Sequence, residues 1–278
     1  MIAKRIACLT MLTSLVLLAL AARADDYYFS PTDEHVRISL GVMHVSNSTN
    51  FQADSSVGTI GTDIDGEGLL GLDKSDFEPK FQAVVRVATR HRLSFDYFTL
   101  DRTGNALANE TIYFRDVVFP AGTPGSPTPL QTTLNLRTFG LTYGYSFWHS
   151  ETLEIAATLG VHSTDLSTTA KVETATKHII QNDDQAGPVP TVGIDATWVA
   201  SRRFYLDGRA QYLTVHLNNI SGSVGFYSFD ALYRWKPNIS FALGYTEITV
   251  HLDSAESSQS GRFDFSTKGP EAFFRVAF

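Results

Sequence analysis

Cysteine is almost absent: Cys8 is the single one in 278 residues. That excludes a disulfide framework and any cysteine-based metal site. Past residue 24 no apolar run reaches the ~18 residues that a membrane-crossing helix needs. Positive charge is thin too. Lys and Arg total 22 against 29 Asp and Glu, a net charge of −7, so the concentrated basic surface that nucleic acid requires is missing. No G-x-S-x-G, P-loop or H-E-x-x-H pattern occurs. Mean hydropathy is −0.05, too polar for a multi-helix membrane protein. The 12% aromatic content is too high for a disordered chain.

Residues 1–24 have the layout of a secretory signal peptide. Lys4 and Arg5 precede the apolar stretch 6–22, and Ala22-Arg23-Ala24 forms an A-x-A cleavage site. Without this leader the domain 25–278 has 254 residues, no cysteine and a net charge of −10, because Lys4, Arg5 and Arg23 leave with it. An acidic, cysteine-free exported chain suits a bacterial envelope. With helical spans excluded, a membrane protein of this composition must be a closed barrel, since only helices and barrels satisfy every backbone group in lipid.

The exported part alternates with period two. In 134–148 the odd positions Phe139, Leu141, Tyr143, Tyr145 and Phe147 are bulky, and the even positions Thr138, Gly140, Thr142, Gly144 and Ser146 are small. The same alternation marks 36–45, 77–87, 93–99, 153–162, 192–199, 204–212, 227–235, 239–246 and 271–278, giving ten strands. Connections after even strands are short (88–92, 149–151, 200–203, 236–238). Those after odd strands are long (46–76, 100–130, 163–190, 213–226, 247–264), which reads as periplasmic turns alternating with extracellular loops. Segment 110–119 could pair with 130–137 as an extension above the membrane, or cross it and raise the count to twelve. Pro79 and Pro270 fall inside expected strands, where each removes a ladder donor, and are expected at strand starts or bulges.

The signal peptide, the aromatic alternation and the C-terminal FFRVAF resemble those of bacterial outer-membrane β-barrel proteins. Phe274, Val276 and Phe278 match the alternating terminal pattern that the barrel-assembly machinery reads. The blocks GTDIDGEGLLGLDKSD and RHRLSFDYFTLDRTG resemble a poorly characterised group of such barrels. The resemblance implies an all-β, antiparallel up-and-down transmembrane barrel of about ten strands in the cell outer membrane. It further implies a monomer whose partners are outer-membrane lipids, lipopolysaccharide and, during insertion, the assembly machinery. No cofactor, metal or nucleic acid is implied. Tyr97, Tyr143, Tyr145, Phe147, Trp148, Trp198, Phe204, Tyr212, Tyr233, Trp235 and Tyr245 would form aromatic girdles at strand ends.

Strand parity also assigns a lumen. Asp96, Glu154, Asp195, Asp207, Asp230 and Glu271 would face inward with Arg37, Lys80, Arg86, Arg209, Arg234 and Arg275. Six acids against six bases suggest a network of ion pairs and a plugged or narrow interior, because ten strands enclose too little space for a wide aqueous pore. The first long loop is acidic (Asp54, Asp63, Asp65, Glu67, Asp73 and Asp76 against Lys74) but completes no calcium-loop motif. Two hydrolytic readings compete with a structural, surface-interaction or narrow-pore role. His44-Val45-Ser46-Asn47 resembles the H-x-S-N run of lipid A deacylases, which makes His44 and Ser46 weak catalytic candidates. An omptin-like protease would draw on Asp101, His162, Asp165, His216, His251 and Asp253. A soluble periplasmic barrel holding a small apolar ligand would instead turn the bulky face inward. The expectation is a non-enzymatic barrel.

Overall fold

The computed structural model describes residues 30–278 except 56–59, 109, 115, 123–127, 174–177, 218–219 and 257–258. The expected leader, 1–24, lies outside the described residues. Ten long antiparallel strands form a ring. In chain order they are β1(Val36–Ala53), β3(Ser75–Ala88), β4(His91–Ala108), β7(Thr128–His149), β8(Leu153–Glu173), β9(His178–Val199), β10(Phe204–Leu217), β11(Ile220–Lys236), β12(Ile239–Glu256) and β13(Gln259–Ala277). Each pairs with its neighbour in the chain order just given, and β13 pairs with β1 to close the ring. Three short strands, β2(Ile64–Asp65), β5(Ile112–Phe114) and β6(Val117–Phe119), belong to two inserted segments. Closure abolishes the free strand edges.

Following paired residues once around the ring leads from Asn47 through Thr267, Ile248, Phe226, Gln211, Gly193, Thr158, Gly144 and Arg92 to Arg86, whose N–H reaches the carbonyl of His35. The path therefore returns twelve residues below its start. Ten strands with this stagger tilt by about 40° and enclose a backbone radius of about 10 Å. Inward side chains fill most of such a lumen.

Parity separates the two faces as the bulky–small alternation requires. Leu141 is 56% exposed and Thr142 is 1% exposed. Trp148, Trp198, Phe204, Trp235, Leu159 and Leu243 also point outward. The bulky face is thus outside, which rules against a barrel that holds its apolar ligand within.

The outward face turns polar further along each strand, where Phe139 gives way to Arg137, Val42 to His44, Tyr245 to Glu247 and Pro270 to Lys268. The strands run on through this polar zone. Residues 46–53, 100–108, 128–130, 163–173, 178–190, 213–217, 220–226, 247–256 and 259–264 are strand, where 46–76, 100–130, 163–190, 213–226 and 247–264 were expected as loops. The apolar signal stops at the membrane boundary, but pairing continues on Thr-rich stretches with high β propensity, such as 128–136 and 163–170. Strand β7, with 22 residues, spans about 55 Å, roughly twice the ~25 Å apolar band of a membrane barrel.

Segment 110–119 pairs with itself as the β5–β6 hairpin, not with 130–137. Residues 130–137 lie in β7 between β4 and β8, so the count is ten and not twelve. Pro79 sits just beyond the end of the β3–β4 ladder. Pro270 coincides with a break in the β1–β13 ladder at His44 and Val45. The run Gly66-Glu67-Gly68-Leu69-Leu70-Gly71 has the spacing of a dinucleotide fingerprint, but it forms a turn between β2 and β3 with no helix after it. Gly71 there has φ +66°, which a side chain would resist.

Candidate functional site: a lumen closed at three levels

The first closure lies at the short-turn end. Residues 30–35 precede β1 and fold into the mouth, burying Ser30, Thr32 and Glu34. The Ser30 hydroxyl donates to the carbonyl of Glu151 at 2.6 Å. One Glu34 oxygen meets Arg234 Nη2 at 2.8 Å, and the other has no partner. His149 approaches Asp33 at 3.2 Å. The last residue seals the ring beside this plug: the Phe278 carbonyl accepts from His35 and Val36, and its N–H returns to the Val36 carbonyl.

Burial dominates at Glu34 and pushes its pKa up to about 7 in spite of Arg37, Arg234 and Arg275 nearby, with Asp207 adding to the rise. A carboxyl raised this way binds its proton more tightly when folded. Stability should therefore rise as pH falls from about 7 towards 4.5, by about 1–3 kcal/mol for this group. Unfolding midpoints measured across that window should lose this component in Glu34→Gln. An unchanged pH profile in the variant contradicts the assignment.

The second closure is ionic. Glu154 accepts from Arg86 at 2.8 Å and Arg92 at 3.0 Å. Asp195 links Arg92 at 3.4 Å to Arg209 at 3.1 Å, and Arg209 continues to Asp96 at 2.9 Å. Asp207 bonds Arg275 and lies 3.9 Å from Arg37. Lys80 reaches Glu271 at 2.7 Å and also the Thr246 hydroxyl. Asp230 lies against Glu271, with one oxygen unpartnered. Small residues make the room: a Cβ at Gly144 would press on Arg92, and one at Gly140 on His162. His162 stacks on Phe226 at 4.1 Å and bonds Gln211 at 3.0 Å. Two cavities among these groups measure about 20 and 40 Å³, room for one water or a few.

The third closure is apolar. Met43, Val45, Leu100 and Leu134 project from the wall against Ile64, Leu70 and Leu72 of the first insertion and Ile112 and Phe119 of the β5–β6 hairpin. One buried cation ties the first insertion down. Arg102 donates to the Asp73 carbonyl at 2.9 Å, to the Thr49 hydroxyl at 2.7 Å and to the Glu67 carboxylate. Glu67 also accepts from the Thr49 N–H at 2.9 Å.

The structure places the twelve charges assigned by parity on the lumen side: eleven belong to the ionic layer, and Arg234 pairs with Glu34 of the plug. Arg92, Glu34 and Arg102 take part in the same closures but escaped sequence reading, and Glu67, read there only as part of an acidic loop, joins them. Arg92 stood in an expected turn, although it shares parity with Ser94 and Asp96. Glu34 precedes the first strand, and Glu67 lies in an insertion with no period to follow.

The catalytic candidates are dispersed. His44 and Ser46 point outward from β1, and the His44 ring packs on Phe77 at 4.8 Å. Among the described residues no carboxylate contacts His44. His162 is buried in the lumen, Asp165 sits opposite Arg137, and Asp253 pairs with Arg262 at 3.1 Å. His251 meets Asp264 at 2.5 Å on the outer wall. Asp101 offers its N–H to Glu78 at 3.1 Å, and His216 is exposed at the end of β10. Phe274 and Val276 pack with Ile239 on the outer face, and Phe278 is exposed.

This architecture, bulky side chains outward around a charged, staggered ring of ten strands, is the fold of the bacterial outer-membrane β-barrel proteins. The outer membrane protease OmpT of Escherichia coli is similar, with TM-score 0.57, 13% identity, and coverage of 91% of this chain and 99% of that one. The toluene transporter TodX of Pseudomonas putida (TM-score 0.35, 8% identity, 88% and 90% coverage) and the Neisserial surface protein A, NspA (0.30, 14%, 87% and 97%), also match. No family model and no curated protein sequence matches the chain.

Proposed function

We propose that the protein is a sealed barrel of the outer membrane, non-enzymatic, which works through its outward surface rather than by conducting solutes. Its short-turn end faces the periplasm, and the long strand extensions stand outside the cell. The observation that carries this reading is the triple closure of the lumen by the 30–35 plug, the ion-pair layer and the apolar cap. A lumen of about 10 Å backbone radius is crossed by five paired arginines, Arg37, Arg86, Arg92, Arg209 and Arg275, which leave little room for water between them. Surface presentation then rests with the polar collar and the insertions.

Planar bilayers containing the refolded protein should show no stepwise conductance, and the protein should change gel mobility on heating. Large, steady steps would overturn the sealed-lumen reading. Intact cells displaying the protein should also cleave no added peptide above the background of cells lacking it. Cleavage abolished by His251→Ala would revive the protease reading.

A further inference from the structure

We infer that the outer wall carries a binding site for one anionic glycerophospholipid of the periplasmic leaflet, a reading that rests on the proposed membrane placement. The outward residues Leu40, Phe274, Phe241, Tyr233 and Phe204 form one registered row across β1, β13, β12, β11 and β10. The aromatic members touch: Phe241 and Phe274 have centroids 5.7 Å apart, Phe204 and Tyr233 5.1 Å. In the next row up, Ala272 and Ala231 are too small to fill the wall on either side of the outward Leu243. The result is an apolar groove of about 570 Å³ above an aromatic ridge.

Its direction fits an acyl chain. Five strands at ~4.8 Å spacing give a row about 19 Å long, and the ~40° tilt makes it climb about 12 Å. One leaflet offers about 15 Å of hydrocarbon depth. The low end of the groove, at Phe204 and Tyr233, meets the short-turn rim.

Charge at that end selects the headgroup. Arg203 immediately precedes Phe204 at the turn, and its Nη1 stands 3.5 Å from the Tyr233 hydroxyl. Lys236 lies with Nζ 4.9 Å from the centroid of the Trp235 ring. Arg202 is adjacent, and the turns 200–203 and 236–238 contain no acid. In a chain of net charge −7, Arg203 and Lys236 beside an apolar groove are complementary to a phosphate with chains attached. The aromatic rings beside Arg203 and Lys236 set these cations at the interface level, where a lipid phosphate sits.

Native mass spectrometry of the full refolded chain tests this, using phosphatidylglycerol and phosphatidylcholine with identical chains. Phosphatidylglycerol should be retained with about a five- to ten-fold preference. The triple variant Arg202→Ala, Arg203→Ala, Lys236→Ala should bring that preference close to one. Ala231→Trp with Ala272→Trp should fill the groove and reduce retention of both lipids. No preference in the wild type, or an unchanged preference in the triple variant, overturns the site. Unchanged retention in the groove-filled variant does so too. Heat-dependent gel mobility is measured on the same samples. Its loss would instead defeat the membrane reading, and its persistence in the variants shows that they fold.

Discussion

Glu154→Ala should lower the unfolding free energy of the detergent-folded protein by about 3–5 kcal/mol, a large share of the ~5–15 kcal/mol that holds an ordinary domain together. The Glu154 side chain is fully buried and accepts from Arg86 through both oxygens, from Arg92 and from the Ser146 hydroxyl. Removing it leaves two guanidinium groups in the lumen with too few acceptors, and restoring their hydration requires opening the ionic layer. The penalty comes from the stranded cations more than from the lost attraction. Glu154→Gln keeps the volume and part of the hydrogen bonding, so it should fall between wild type and alanine. Asp253→Ala is the matched control. It breaks an ion pair whose partners are more than half exposed, which is worth about 0–1 kcal/mol. Guanidinium midpoints followed by tryptophan fluorescence would rank the three. A Glu154→Ala shift no larger than that of Asp253→Ala would show that the lumen is wet and its ion pairs replaceable by water.

The ring of ten and the inward charges were legible because lipid and lumen impose opposite demands on neighbouring residues. Leu141 and Thr142 show the rule at one pair, and Arg209 and Ala210 show it at another. Where that contrast ends, legibility ends. Above the apolar belt both faces meet polar surroundings, so stretches such as Thr164–Thr169 read as loop although they pair residue by residue with β9. The interior reverses character there as well. Met43 and Val45 continue the parity of Arg37 and Ser39 but are apolar, because they meet the inserted segments and not the ionic layer. No local pattern could announce this, since the partners Ile64, Leu72, Ile112 and Phe119 come from distant insertions. Glu34 and Arg234 are 200 positions apart, and only the closed ring brings them together. The groove beside Ala231 and Ala272 was hidden for a related reason: each alanine alone looks like an ordinary outward residue.

Arg102→Ala is expected to act on the cap and leave the lumen shut. Arg102 is 1% exposed, and its three bonded nitrogens hold two points of the first insertion, Glu67 and Asp73, against Thr49 of β1. The substitution leaves the Glu67 carboxylate buried without its cation and frees the Asp73 carbonyl. A cost of about 3–5 kcal/mol follows for breaking such a pair on one side. Part of it can be relieved locally, because the 64–74 segment can lift away and hydrate Glu67 without disturbing the ring. Limited proteolysis of the refolded variant should then cut within 64–74, where wild type resists. Conductance should stay absent, since the ion-pair layer and the 30–35 plug still block the lumen below. The double variant with Glu154→Ala should stay closed as well, because the 30–35 plug is held by Glu151 and Arg234 and not by either altered residue; only further removal of the plug should let it leak. Arg102→Ala alone giving stepwise conductance would mean that the apolar cap is the sole barrier and the charged layer is already permeable. An uncut 64–74 segment in a folded variant would mean that apolar packing, without the Arg102 clip, is enough to hold the insertion.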